Sequence, residues 1–255
     1  MELVDVIIFG GQSNMQGATG EPPAENIPIA GAYEYRYLQD ELIELKHPVG
    51  EDIHHSDLSP SADEGGSLVP YFCNAYIAKT GRKVIAIHCA RGATTVAEWL
   101  HGTQRHYYAD KKIQAALKKA KETFEIGHIF YVWLQGESDA IIRTSEEEYK
   151  QKLVQYKNEL KNELKIEKFG IIKVGYFVST TCKDNPIAEQ IEADETIMRA
   201  QEDCVRSDSD FIMLTRVCPE FSRNSAYIGR YPGHYNNTAM EQIGKEAGNR
   251  LAESV

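Results

Sequence analysis

Residues 4–17 read VDVIIFGGQSNMQG, and this stretch decides the fold. Val4, Val6, Ile7, Ile8 and Phe9 form an apolar, largely β-branched run with no charge after Asp5, as in a strand buried on both faces of a sheet. Gly10-Gly11 ends the run with a sharp turn. Gln12-Ser13-Asn14 then stand at the carboxyl end of the strand, where open α/β sheets keep their ligand sites. A hydroxyl there, with backbone N–H groups pointing the same way, is a nucleophile beside the start of an oxyanion hole. A plain helix-capping serine also fits such a turn. Phosphate loops do not, because the glycine spacing is neither GxGxxG nor GxxxxGK. The GxSxG elbow fails too, since Asn14 and Met15 follow Ser13.

Outward from this stretch, strands alternate with helices. Lys83–Cys89, His128–Leu134, Ile171–Val178 and Phe211–Leu214 read as four further strands. Helical spacing appears from Leu68 to Thr80, over Asp110–Phe124, from Ser145 with Glu148 in a capping box, after Pro186, and from Thr238 with Glu241 in a second box. Such alternation predicts parallel βαβ units: a single α/β domain over residues 1–255, a three-layer α/β/α sandwich on a flavodoxin-like five-stranded parallel sheet. Gly20–Gly66 shows little periodicity and reads as a long irregular segment beside the site, carrying Tyr33, Tyr35 and Tyr37. Its run Glu51–Asp57, with His54 and His55, is a loop rather than a metal site.

Composition bounds the partners. The 255 residues are 42% hydrophobic and 26% charged, as in a soluble globular chain large enough to bury a sizeable core. A formal net charge of −10 argues against nucleic-acid and anionic-membrane partners. No secretory segment precedes the first strand, and the five cysteines (Cys73, Cys89, Cys182, Cys204, Cys218) contain no CxxC pair; reduced thiols in a cytoplasmic protein are the expectation. Cys89, at a strand end, is a weaker alternative nucleophile, since buried cysteines are usually inert.

Three strand ends carry polar-glycine motifs, GGQSNM, ARGATT and LQGESD, and a fourth polar loop, Pro232–Asn236, precedes the last helix. In a parallel sheet all four meet at one edge, bringing together a hydroxyl, glycine amides, a primary amide, carboxylates and an imidazole. This set resembles the SGNH-type hydrolases and, within them, the sialate O-acetylesterase-like branch that includes acetylxylan esterases of carbohydrate esterase family 6. The resemblance implies a serine esterase that removes acetyl groups from a small acetylated carbohydrate without cofactor or metal. By motif it makes Ser13 the nucleophile and His234 the general base, with oxyanion donors at the Ser13 N–H, the Gly92 N–H and the Gln135 side-chain amide.

The chain departs from the family at the acid. An aspartate is usual three residues before the histidine, and Tyr231 stands there. Glu137 is the expected replacement, ahead of Asp139, because Gln135 and Glu137 could point the same way in a tight turn. Gln12, Asn14, Arg91, Asp139 and Arg230 are the candidate substrate contacts, and Arg223 lies in the same loop as Arg230. Two other readings fit parts of the sequence: a carbohydrate-binding protein of this fold with a decayed triad, and a broader lipase or thioesterase of the superfamily.

Overall fold

Strand order explains why four loops can meet. The structure is a computed structural model and describes residues 1–17, 22–51, 66–177 and 187–255. Its strands are β1 (Glu2–Gly11), β2 (Ala32–Arg36), β3 (Glu41–Glu44), β4 (Lys83–His88), β5 (Phe124–Leu134), β6 (Lys168–Ile172) and β7 (Phe211–Thr215). They form one sheet in the order β3-β2-β4-β1-β5-β6-β7. The five strands expected from sequence are the run β4-β1-β5-β6-β7, all parallel, in flavodoxin-like order. The order reverses between β1 and β5, so the ends of these two strands, at Gly11 and Leu134, frame the crevice.

The sheet is wider than expected. β2 adds to β4 in parallel, and β3 pairs back on β2 antiparallel. Both fall in the segment read as irregular. Buried charge joins the tyrosines in securing this edge: buried Glu34 pairs with Arg36 at 3.0 Å and accepts from the Gly50 N–H at 2.7 Å. Buried Glu51 accepts from the Tyr37 and Leu38 N–H groups and faces Lys112 at 3.4 Å. Glu51 is therefore committed to the fold, while residues 52–57 of the same run lie outside the described residues.

The helices are α1 (Ser13–Gln16), α2 (Leu68–Thr80), α3 (Gln104–Ala120), α4 (Glu137–Ile141), α5 (Glu146–Leu164), α6 (Ile187–Ser207), α7 (Cys218–Phe221) and α8 (Asn237–Ala252). Alternation along β1 sorts them into layers. Val4, Val6 and Ile8 share a core with Ile113 of α3, Leu153 of α5 and Ile197 of α6; Ile7 and Phe9 share the other with Phe72 of α2 and Met240 of α8. α2 and α8 touch backbone to backbone: a Cβ at Gly244 would sit 2.5 Å from the Leu68 carbonyl oxygen, and one at Gly248 2.3 Å from that of Phe72.

Several boundaries move. α3 starts at Gln104, not Asp110, because the Thr103 side chain caps it by accepting from the His106 N–H at 3.1 Å; Phe124 belongs to β5 instead. β6 spans Lys168–Ile172 rather than Ile171–Val178. The cap of α8 is Asn236, accepting from the Ala239 N–H at 3.0 Å, so the box expected at Thr238 is not used. Ser145 does cap α5, accepting from the Glu148 N–H at 3.3 Å. Pro186 lies outside the described residues.

Candidate active site

The turn after β1 is built for close approach. Gly11 has φ 134°, and a Cβ there would lie 2.0 Å from the Leu134 carbonyl oxygen, so only glycine fits. The Gln12 N–H donates to that same carbonyl at 3.0 Å and the Arg91 N–H to the Gly11 carbonyl at 2.8 Å, drawing together the ends of β5, β4 and β1. The helical turn α1 follows, capped at Gln12 without a side-chain hydrogen bond. Ser13 is its first residue, not its cap. Its N–H therefore has no partner within the helix, and its hydroxyl is left for His234.

The Ser13 Oγ lies 2.8 Å from His234 Nε2. His234 Nδ1 lies 3.0 Å from the Pro232 carbonyl oxygen. A carbonyl only accepts, so Nδ1 carries the proton and Nε2 is the free base that accepts from the serine hydroxyl. Burial holds the imidazole below its ordinary value of 6.5, while the Pro232 and Tyr231 backbone pulls the other way. Phe177 closes one side, its ring 5.4 Å from the imidazole.

The expected pairing of Glu137 with His234 is not formed. Glu137 lies beneath the turn, where its Oε1 accepts from Asn14 Nδ2 at 2.8 Å and its Oε2 is buried without a hydrogen-bond partner. Burial pushes this carboxyl up to about 7 despite the Asn14 hydrogen bond, and the Asp194 carboxylate adds to the rise. Asp139, the other candidate acid, is also committed elsewhere: it accepts from the Val96 N–H at 2.8 Å, the Thr144 hydroxyl at 3.0 Å and Gln135 Nε2 at 2.6 Å.

Gln135 is a brace rather than an oxyanion donor. It is fully buried, and its Nε2 faces Gln12 Oε1 at 3.2 Å, the Thr94 carbonyl at 2.8 Å and Asp139 at 2.6 Å, so its two hydrogens are already claimed. Gln201 and Tyr149 donate to it from behind. Gln12, Asn14 and Asp139 are each at most 2% exposed, which removes them as substrate contacts. Asn14 has a different role: its Oδ1 accepts from the Tyr235 N–H at 3.2 Å and its Nδ2 donates to the Gly233 carbonyl at 3.2 Å, clamping the histidine loop to the serine turn.

Gly92 does reach the serine, since a Cβ on it would lie 3.5 Å from that of Ser13. Its N–H donates to Gln16 Oε1 at 2.8 Å. Sequence reasoning missed Gln16, whose amide oxygen occupies the Gly92 N–H beside Ser13. Beyond Gly92 opens a cleft of about 580 Å³ walled by Arg91, Glu98, Thr103, Gln104, Arg105 and Tyr108. Arg230 is on the exposed histidine loop, 5.8 Å over the Tyr231 ring, and Arg223 stacks on Tyr176 at 3.7 Å. Cys89 is buried and its thiol is pushed up by desolvation, which makes it a poor nucleophile; Cys182 lies outside the described residues.

Residues 3–216 match the family described as carbohydrate esterase, sialic acid-specific acetylesterase. The chain belongs to this family. It is thus a carboxylic ester hydrolase, and His234 lies beyond the matched stretch. Solved structures agree with the esterase in fold. A protein of Arabidopsis thaliana is 17% identical with a TM-score of 0.70, each chain covered to 98%. NanS is 14% identical with a TM-score of 0.63, covering 99% of this chain and 96% of its own. A carbohydrate acetylesterase from Xanthomonas citri is 13% identical with a TM-score of 0.50, covering 98% of this chain and 57% of its own. No curated protein matches the esterase.

Proposed function

We propose that the esterase removes O-acetyl groups from a small acetylated carbohydrate through an acyl-enzyme on Ser13. The contact that carries this reading is the 2.8 Å hydrogen bond from the Ser13 hydroxyl to an unprotonated His234 Nε2. His234 takes the serine proton as Oγ attacks the acetyl carbonyl. The oxyanion is received by the N–H groups of Ser13 and Gly92, once Gln16 yields the latter. The sugar hydroxyl leaves with the proton held on His234. Water, deprotonated by the same imidazole, then releases acetate and restores the serine.

The walls of the adjoining cleft favour a sugar over a long acyl chain. Arg91, Glu98, Thr103 and Gln104 place polar side chains along the cleft to meet hydroxyl groups. A family model and a carbohydrate acetylesterase fold support the same substrate class. A fluorophosphonate should add one adduct by intact mass, lost in Ser13→Ala, and acetate release from a panel of acetylated sugars should vanish with it. Labelling at another residue, or a rise in rate from acetyl to octanoyl esters, would favour the lipase or thioesterase reading; no adduct and no hydrolysis would favour a binding protein.

A further inference from the structure

A second group of chemistry-bearing side chains stands outside the serine site. His101, in the turn before α3, His106, in the first turn of α3, and Glu163, in the last turn of α5, bring one donor atom each within 4.8 Å of one another. They open into a cleft of about 850 Å³ whose lining, among the described residues, includes Asp110 and Gln114 but no lysine or arginine. Arg105, the neighbour of His106, instead packs its guanidinium on the Trp99 ring at 5.2 Å.

His106 carries the mark of a prepared ligand. It is buried, and its Nδ1 lies 3.2 Å from the Trp99 carbonyl oxygen. That carbonyl fixes the proton on Nδ1, so Nε2 presents a lone pair toward Glu163, 3.8 Å away. Metal-bound histidines are held in this way, their second nitrogen donating to a backbone carbonyl that sets tautomer and ring direction. An Nε2 lone pair facing a carboxylate oxygen is otherwise unrewarded. At 3.8 Å the two atoms are beyond hydrogen-bond distance and close to the spacing of two donors on one ion.

We infer that His101, His106 and Glu163 form a binding site for a divalent transition ion of the Zn²⁺ class, pinning the start of α3 to the end of α5. Two imidazoles and a carboxylate are the donor set such an ion takes, with a fourth position left to solvent. Zn–N and Zn–O bonds of about 2.1 Å put tetrahedral donors roughly 3.4 Å apart. His101 and Glu163 are exposed, so rotation of their side chains closes the present gap around a fixed His106. Thr103, Gln104 and Tyr108 line both this cleft and the one beside Gly92, so the ion would stiffen the wall they share.

The full chain, stripped by a chelator and titrated with ZnCl₂ in a calorimeter, tests this. The wild type should take up one equivalent at saturation and gain melting temperature as Zn²⁺ rises. Co²⁺ should give the visible bands of a tetrahedral site. His101→Ala and Glu163→Gln change exposed side chains and should leave the fold intact while weakening Zn²⁺ binding tenfold or more each. The absence of saturable uptake by the wild type overturns the proposal. So does unchanged affinity in both variants, which would place the ion elsewhere.

Discussion

His234 gives its Nδ1 proton to the backbone carbonyl of Pro232, 3.0 Å away, and this contact occupies the position that a triad carboxylate would hold. A carboxylate does two things for such an imidazole: it fixes the tautomer, and it stabilises the imidazolium that forms during attack. The Pro232 carbonyl does the first and supplies only a dipole for the second. In the proposed mechanism Ser13 and His234 thus act as a dyad whose base has a fixed tautomer but no carboxylate behind it.

One consequence is read in the pH profile. The base must be neutral to take the serine proton, and burial holds His234 below 6.5. On an acetyl ester kcat/KM should therefore climb through a pH below 6.5 and stay level through neutrality. An acid limb centred above 6.5 would mean that an unseen anion faces the imidazole.

Restoring the charge should raise the rate. Tyr231 is 45% exposed and its backbone carbonyl already accepts from the His234 N–H at 3.0 Å, so the position is close and costs no core. Tyr231→Asp should increase kcat by about tenfold or more, part of the roughly four powers of ten that a well-placed carboxylate is worth. The acid limb should shift to higher pH, since a nearby negative charge favours the imidazolium. Unchanged kcat with an unchanged limb would show that the new carboxylate does not reach Nδ1.

Glu137 should matter to stability more than to chemistry. Its carboxyl titrates near 7 in the fold against 4.5 when free, so between these values the folded chain holds the extra proton. Stability from this group is present below pH 4.5 and declines as pH rises toward 7, by about 3 kcal/mol at most. In Glu137→Gln, urea unfolding at pH 5 and pH 8 should lose that part of the decline, while Asp194, raised to about 6, keeps its own share. The variant retains an acceptor for Asn14, so kcat should stay within about threefold. A hundredfold loss in a folded variant would return Glu137 to the catalytic machinery.

Gln16 should respond to its two substitutions with opposite signs. Gln16→Ala frees the Gly92 N–H from a hydrogen bond worth about 1 kcal/mol net, and kcat/KM should rise roughly fivefold. Gln16→Glu sets a charged and stronger acceptor on the same N–H, and kcat/KM should fall by about tenfold. Equal effects in both would mean that Gln16 acts on the substrate instead.

What could be read from the sequence follows from which forces leave a local trace. Apolar runs marked the five central strands, three of them ending in polar-glycine motifs, and βαβ alternation made them parallel. Ser13 stands at such an ending, and His234 in the polar loop before the last helix. The edge strands were harder. Tyr33, Tyr35 and Tyr37 do alternate on one face, but the opposite face carries buried Glu34, whose partners Arg36 and Gly50 give no hydrophobic signal. Gln135 and Glu137 were misassigned for a related reason. Spacing places them in the right loop, yet which side chain turns inward depends on Gln12, Asn14 and Asp139, and those contacts are non-local.

The glycine contact between α2 and α8 bears on all of this. Tyr235 and Asn236 join the base directly to the head of α8, so the helix acts as a strut and His234 rides on its end. With no side chains at Gly244 and Gly248, the strut's seat is the bare backbone of α2, a hard stop rather than a cushion of rotamers. The separation of two helix axes, fixed well away from Ser13, thereby bears on where His234 stands relative to the serine hydroxyl.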